Sequence, residues 1–152
     1  MLAEALGTIW VPEYARAYLE HMEGSYTEVD LLQIAQGQLA EEDRLAAQAK
    51  ELLICDTDLY VIKVWSEHSF GCCHRDVLAA IAERRYDMYL LTDIDIPWED
   101  DPLREPQERE LRDYFYRQYR DIVVQSGVPW VSVSGDPATR LQVALNAVKT
   151  LL

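Results

Sequence analysis

The apolar positions fall into two rhythms that take turns along the chain. Short, nearly continuous apolar runs, "TIWVP", "LLICD", "YDMYLLT" and "PWVSVSG", have the length and composition of buried strands. Between them lie longer segments with apolar residues every three or four positions, the period of an amphipathic helix. "EYARAYLEHM" places Tyr14, Ala17, Tyr18 and Met22 near one face. Thr27 to Asp30 opens a second helical stretch with a capping-box-like T-x-x-D, and Gly37 divides it into what reads as two helices. "LYVIKVW" is ambiguous, since its β-branched residues suit a strand as well as a helix. "HRDVLAAIAERR" and "QERELRDYFYRQYRDIVVQSG" are helical, and "DPATRLQVALNAVKTLL" closes the chain with Asp136 as N-cap and Pro137 at the first helical position. Residues 1–6 read as the end of a helix capped by Gly7.

Strands alternating with helices predict an α/β fold on a parallel sheet. Ligands of such sheets bind beyond the carboxyl ends of the strands. Each expected strand here delivers polar residues to that edge: Glu13, then Asp56 and Asp58, then Asp93 and Asp95, then Ser134 and Gly135. "DIDIPWEDDPLREP", with six acids and Trp98, reads as a functional loop.

Composition narrows the partners. The 152 residues suit one domain with a sizeable core, and carry 27 acids against 14 bases, a formal charge of -13. Nucleic acid and anionic membranes reward a basic face, so neither is the expected main partner. A small phosphorylated ligand needs just a few focused arginines and a metal. Cys55, Cys72 and Cys73 are an odd count and suggest a reduced, cytoplasmic protein. Cys72, Cys73 and His74 lack the spacing of a zinc site. No leader peptide and no membrane-spanning run is expected.

The blocks "WVPEYARAYL", "ICDTDLYVIKVWSE", "YLLTDIDIPWEDDPLRE" and "VSGDPATRLQVAL" together resemble the kinase domain of NadR-type nicotinamide riboside kinases, a P-loop branch often described as an AAA-type ATPase domain. The resemblance runs in family order over nearly the whole chain. It implies a three-layer P-loop NTPase-like parallel sheet with helices on both faces. Family members open with a strand and the phosphate loop G-x-x-x-x-G-K-[ST]. No Gly-Lys pair occurs in these 152 residues, and "MLAEAL" matches the helix that follows that loop. The first strand and phosphate loop are therefore expected immediately before residue 1, and the chain is expected to be one truncated domain.

The resemblance also implies roles. Glu13 would accept the proton of a nucleoside 5′-hydroxyl; its alternative is a helix-start acid favoured by the dipole. Arg16, one turn on, would face phosphate or form a surface ion pair. Asp56 matches the acid that holds Mg²⁺, and Asp58 would join it or cap the next helix. Asp93 and Asp95 would bind ribose hydroxyls, with Trp98 or Tyr14 stacking on a cationic pyridinium ring; Trp10 and Trp65 are rivals for that stacking. Arg104 and Arg109 lie in the expected lid, about 99–112, and would stabilise the transferring phosphate. Gly135 and Arg140 would lie near the adenine. ATP and Mg²⁺ are the implied cofactors, and a small nucleoside the implied partner. The aromatic residues Tyr114, Phe115, Tyr116 and Tyr119 are expected to pack rather than bind.

Overall fold

The computed structural model describes residues 1–22, 25–97 and 109–152. Trp98, Arg104 and most of the expected lid lie outside the described residues. The described chain divides into two compact units, Gly7–Arg84, and Met1–Leu6 with Arg85–Leu152. Each contains one pair of parallel strands.

In the first unit, β1 (Ile9–Val11) pairs with β2 (Leu53–Cys55), Ile9 opposite Leu53 and Val11 opposite Cys55. Pro12 cannot extend the ladder and ends β1. The intervening chain forms α2 (Tyr14–Glu20) and α3 (Glu28–Ala46), and α4 (Leu59–Phe70) and α5 (Arg75–Glu83) follow β2. The expected capping box is present: Asp30 N–H donates to the Thr27 hydroxyl, and Thr27 N–H donates to the Asp30 carboxylate at 2.8 Å. Tyr18 adds a tie from α2, donating its hydroxyl hydrogen to Asp30 at 2.8 Å.

Gly37 does not divide α3, which runs as one helix of 19 residues. Its glycine serves close approach instead. A Cβ at position 37 would lie 2.2 Å from two ring carbons of Tyr14, so the missing side chain is what lets α2 dock there. "LYVIKVW" is helical because capping and packing outweigh its β propensity. Asp58 caps the start, and Gly71 closes the helix at φ 74° in the left-handed region. Leu59 and Ile62 of α4 are buried with Leu31, Ile34 and Ala35 of α3 and Val77 of α5. Burial of each larger aliphatic side chain contributes about 1.5–3 kcal/mol.

In the second unit, β3 (Tyr89–Thr92) pairs with β4 (Trp130–Val133), Tyr89 opposite Trp130 and Thr92 opposite Val133. α6 (Arg109–Ser126) joins the two strands' segment, α7 (Pro137–Val148) follows β4, and α1 (Leu2–Ala5) packs on α7. Phe115, Val123, Val133, Ala144, Ala147, Val148 and Ala3 are buried. Of the aromatic run on α6, Phe115 is buried, its ring 6.5 Å from that of Tyr119, Tyr116 and Tyr119 are half-buried, and Tyr114 is 46% exposed. Among the described residues, β2 pairs only with β1 and β3 only with β4. No helix among the described residues is long and apolar enough to cross a membrane.

Candidate functional site

Parallel pairing brings the polar ends of β1 and β2 side by side. The register sets Val11 against Cys55, and Asp56 N–H donates to Val11 O at 2.9 Å. Glu13, the N-cap residue of α2, and Asp56 thus leave the same edge of the strand pair. Glu13 is half-buried and Asp56 exposed. Thr57, just after Asp56, holds φ 69°, and non-glycine residues take that left-handed conformation at a cost. It turns the chain sharply, so that Asp58 can cap α4 by accepting Tyr60 N–H at 2.9 Å.

Tyr14 begins α2 with its ring against Gly37. Its backbone N–H donates to Gln38 Oε1 at 2.9 Å. Gln38 in turn donates to Glu42 Oε1 at 3.4 Å, and Glu42 Oε2 lies 3.7 Å from Arg84 Nε. Gln38 and Glu42 are 3% and 2% exposed, so this polar chain runs through the core of the unit. A buried carboxylate is tolerable there because it has both a guanidinium and an amide partner. Burial, reinforced by the negative charge of Glu42, pushes the Cys55 thiol up to about 12. Arg16 projects from α2 with its side chain 47% exposed, 3.8 Å from Glu20.

Gln38 and Glu42 were not picked out from the sequence. The signal was available: Leu31, Ile34, Ala35, Gln38 and Glu42 fall on one helical stripe, so two polar residues continue an apolar face.

The second group of polar strand ends lies in the other unit. The Asp95 carboxylate accepts Gly135 N–H at 2.6 Å with one oxygen and is ion-paired through the other to Arg140 Nη2. Arg140 also donates from Nε to Gly135 O at 2.8 Å and from Nη2 to Asp93 O at 3.1 Å. The Gly135 N–H, and then the Arg140 charge, hold Asp95 below the usual carboxylate range. Asp93 Oδ1 accepts Ile94 N–H at 2.7 Å. Arg112 of α6, also missed from the sequence, donates to Ile94 O at 3.2 Å and Ile96 O at 3.0 Å. Arg109 opens α6 and is exposed.

The structure therefore brings Glu13, Tyr14, Asp56 and Asp58 to one strand edge, and Asp93, Asp95, Gly135 and Arg140 to another. No group of three or more His, Cys, Asp or Glu side chains converges as a ready-made metal cage among the described residues. Mg²⁺ seldom needs one: it is commonly held by one or two carboxylates, substrate phosphates and water. The exposed Asp56 carboxylate suits that arrangement, and Asp58 still has a role as cap.

The model of the AAA domain family matches residues 1–140. A solved structure of NadR protein, in complex with NAD and AMP-PNP, superposes with a TM-score of 0.74 at 18% identity, covering 98% of this chain and 43% of that one. The chain thus spans less than half the length of that protein. A search among curated protein sequences finds no match. The match over residues 1–140 and the parallel strands with polar carboxyl ends agree: the chain belongs to the AAA domain family, with the fold of a NadR-like P-loop domain.

Proposed function

We propose that this domain belongs to a kinase that transfers a phosphoryl group from ATP to the 5′-hydroxyl of nicotinamide riboside, giving the mononucleotide. The observation that carries the reading is the pair Glu13 and Asp56, set at the ends of two adjacent parallel strands by the Val11–Cys55 register. A proton acceptor and a metal-holding acid on one strand edge are what phosphoryl transfer to a hydroxyl requires. NadR protein, the similar structure, was solved with NAD and AMP-PNP, which supports a nucleotide-binding role.

In this reading Glu13 takes the hydroxyl proton as the oxygen attacks. Asp56, with Asp58 beside it, holds Mg²⁺, which when bound neutralises phosphate charge. Arg104 and Arg109 are assigned the stabilisation of charge on the transferring phosphoryl group, and Arg16 the nucleotide phosphates. The loop carrying Asp93, Asp95 and Trp98 binds the nucleoside, with Asp93 matched to ribose hydroxyls and the indole, or the Tyr14 ring, to the cationic pyridinium. Gly135, in the loop after β4, and Arg140, in α7, are assigned to the adenine side. The site of action is the cytoplasm.

A second reading has one observation in its favour. The 152 residues contain no Gly-Lys pair, and so no loop whose backbone N–H groups and lysine grip the β- and γ-phosphates. By itself the chain would then act as a ligand-binding module without turnover. The readings are tested by incubating the purified chain with MgATP and nicotinamide riboside, then titrating nicotinamide riboside and uridine by calorimetry. We expect no mononucleotide, selective binding of the pyridinium nucleoside, and loss of that selectivity in Trp98→Ala but not Tyr119→Ala. Turnover at about 1–100 per second would overturn the need for the phosphate loop. Equal affinity for the two nucleosides would remove the nicotinamide assignment.

A further inference from the structure

Arg140 has a side chain just 13% exposed, and its Nε and Nη2 both donate inside the protein. Its Nε donates to Gly135 O, and Nη2 donates to Asp93 O and to the Asp95 carboxylate. Asp95 closes the ring by accepting Gly135 N–H with its other oxygen. Two loops are joined by this ring: the one after β3, which carries Asp93 and Asp95, and the one after β4, which carries Gly135. The root of Arg140 is itself fixed. It lies in the second turn of α7, whose start is set by Pro137 and by Asp136 accepting Thr139 N–H at 2.8 Å. Gly135 holds φ 93°, with Thr139 Cγ2 3.1 Å from where a Cβ would stand. A side chain there would be strained and crowded, so both polar backbone groups of Gly135 stay turned into the ring. From α6, Arg112 holds the carbonyls of Ile94 and Ile96.

We infer that Arg140 is a positioning residue and not a nucleotide ligand: with Asp95 it joins the loop after β3 to the loop after β4, so that a nucleoside at the first and an adenine nucleotide at the second are bound cooperatively. The inference rests on the proposed function for the identity of the two ligands. It follows that Asp95 is neutralised by its partner and that Asp93 is the acid left to meet ribose hydroxyls. A ligand that orders one loop orders the other through the ring, and the second ligand then loses less conformational freedom on binding. The coupling is reciprocal, each ligand raising the affinity of the other by the same factor. Arginine suits the task because its planar fork reaches carbonyls and a carboxylate at once; lysine keeps the charge but not the fork.

The test uses the full 152-residue chain and the variants Arg140→Lys, Arg140→Ala and Asp95→Asn, with circular dichroism to confirm folding. The first reading is the Gly135 amide in a nitrogen–proton correlation spectrum. A hydrogen bond to a carboxylate shifts it downfield, and Asp95→Asn and Arg140→Ala should move it upfield. An amide indifferent to Asp95→Asn overturns the ring. The second is calorimetry with AMP and nicotinamide riboside, singly and together. In the wild type each ligand should tighten the other by about fivefold or more. In Arg140→Lys that factor should fall to one while AMP alone still binds. Coupling that survives Arg140→Lys, or affinity for AMP alone that vanishes in Arg140→Ala, overturns the inference. Failure of the wild type to bind either ligand overturns the proposed function and the coupling together, and the Gly135 amide then reports on the ring alone.

Discussion

Replacing Gly37 by alanine sets two opposing effects against each other, and the structure decides the sign. Gly37 sits inside a helix of 19 residues, where alanine is favoured over glycine by about 0.8–1 kcal/mol. Propensity alone therefore predicts stabilisation. The new Cβ, however, would lie 2.2 Å from Cε1 and Cζ of Tyr14 and 2.7 Å from Cδ1. Carbon atoms prefer about 3.5–4.0 Å, so the ring or the helix must move by more than an ångström. Such overpacking costs about 1–3 kcal/mol. Displacing Tyr14 also loosens its N–H bond to the buried Gln38, a further loss of about 0.5–1.5 kcal/mol. The net expectation is a destabilisation of about 1–3 kcal/mol, read from urea midpoints at constant m-value. The decisive control is Tyr14→Ala. In that background the clash is gone, and Gly37→Ala should stabilise the protein by the propensity term. The two substitutions should then couple by at least about 2 kcal/mol, against the ~0.3–0.5 kcal/mol scatter of independent sites. If Gly37→Ala stabilises the wild type, or destabilises both backgrounds equally, the docking of Tyr14 on α3 is wrong, and the placement of Glu13 beside it loses its support.

Two further outcomes follow from the geometry. Of the three thiols, exposed Cys72 should react with a disulfide reagent at mild alkaline pH, while Cys55, pushed up to about 12 by burial and Glu42, should stay silent until the chain is unfolded; rapid native labelling of Cys55 would contradict its placement in β2. Asp95 is held below the ordinary carboxylate range by Gly135 N–H and Arg140, so its contribution is fully present above its unfolded pKa of about 3.9 and is lost as pH falls through the lower folded value. The stability gap between wild type and Asp95→Asn should be flat above about pH 5 and should close on acidification; a gap independent of pH down to the acid transition would show that Asp95 is not ionised in the ring.

Local signals in the chain determined most of the elements. Pro12 after "TIWV", T-x-x-D at Thr27, Asp136 before Pro137 and the four apolar runs act within a few residues, and the structure has strands and caps where they predict them. The polar residues after each strand were equally legible, because within each parallel pair the two strands end at one edge. Tertiary structure decided the rest. "LYVIKVW" is helical because its buried side chains meet α3 and α5 from across the unit, which its own β-branched residues do not reveal. Gly37 reads locally as a break, yet it is the point of contact for a ring 23 positions earlier in the sequence, Tyr14. Arg140 and Asp95 read as ligand-facing charges, and folding spends them on each other and on Gly135, 45 and 40 residues apart in sequence from Asp95. A charge pattern names the groups that can meet a ligand; which of them remain available depends on partners brought close only by the fold.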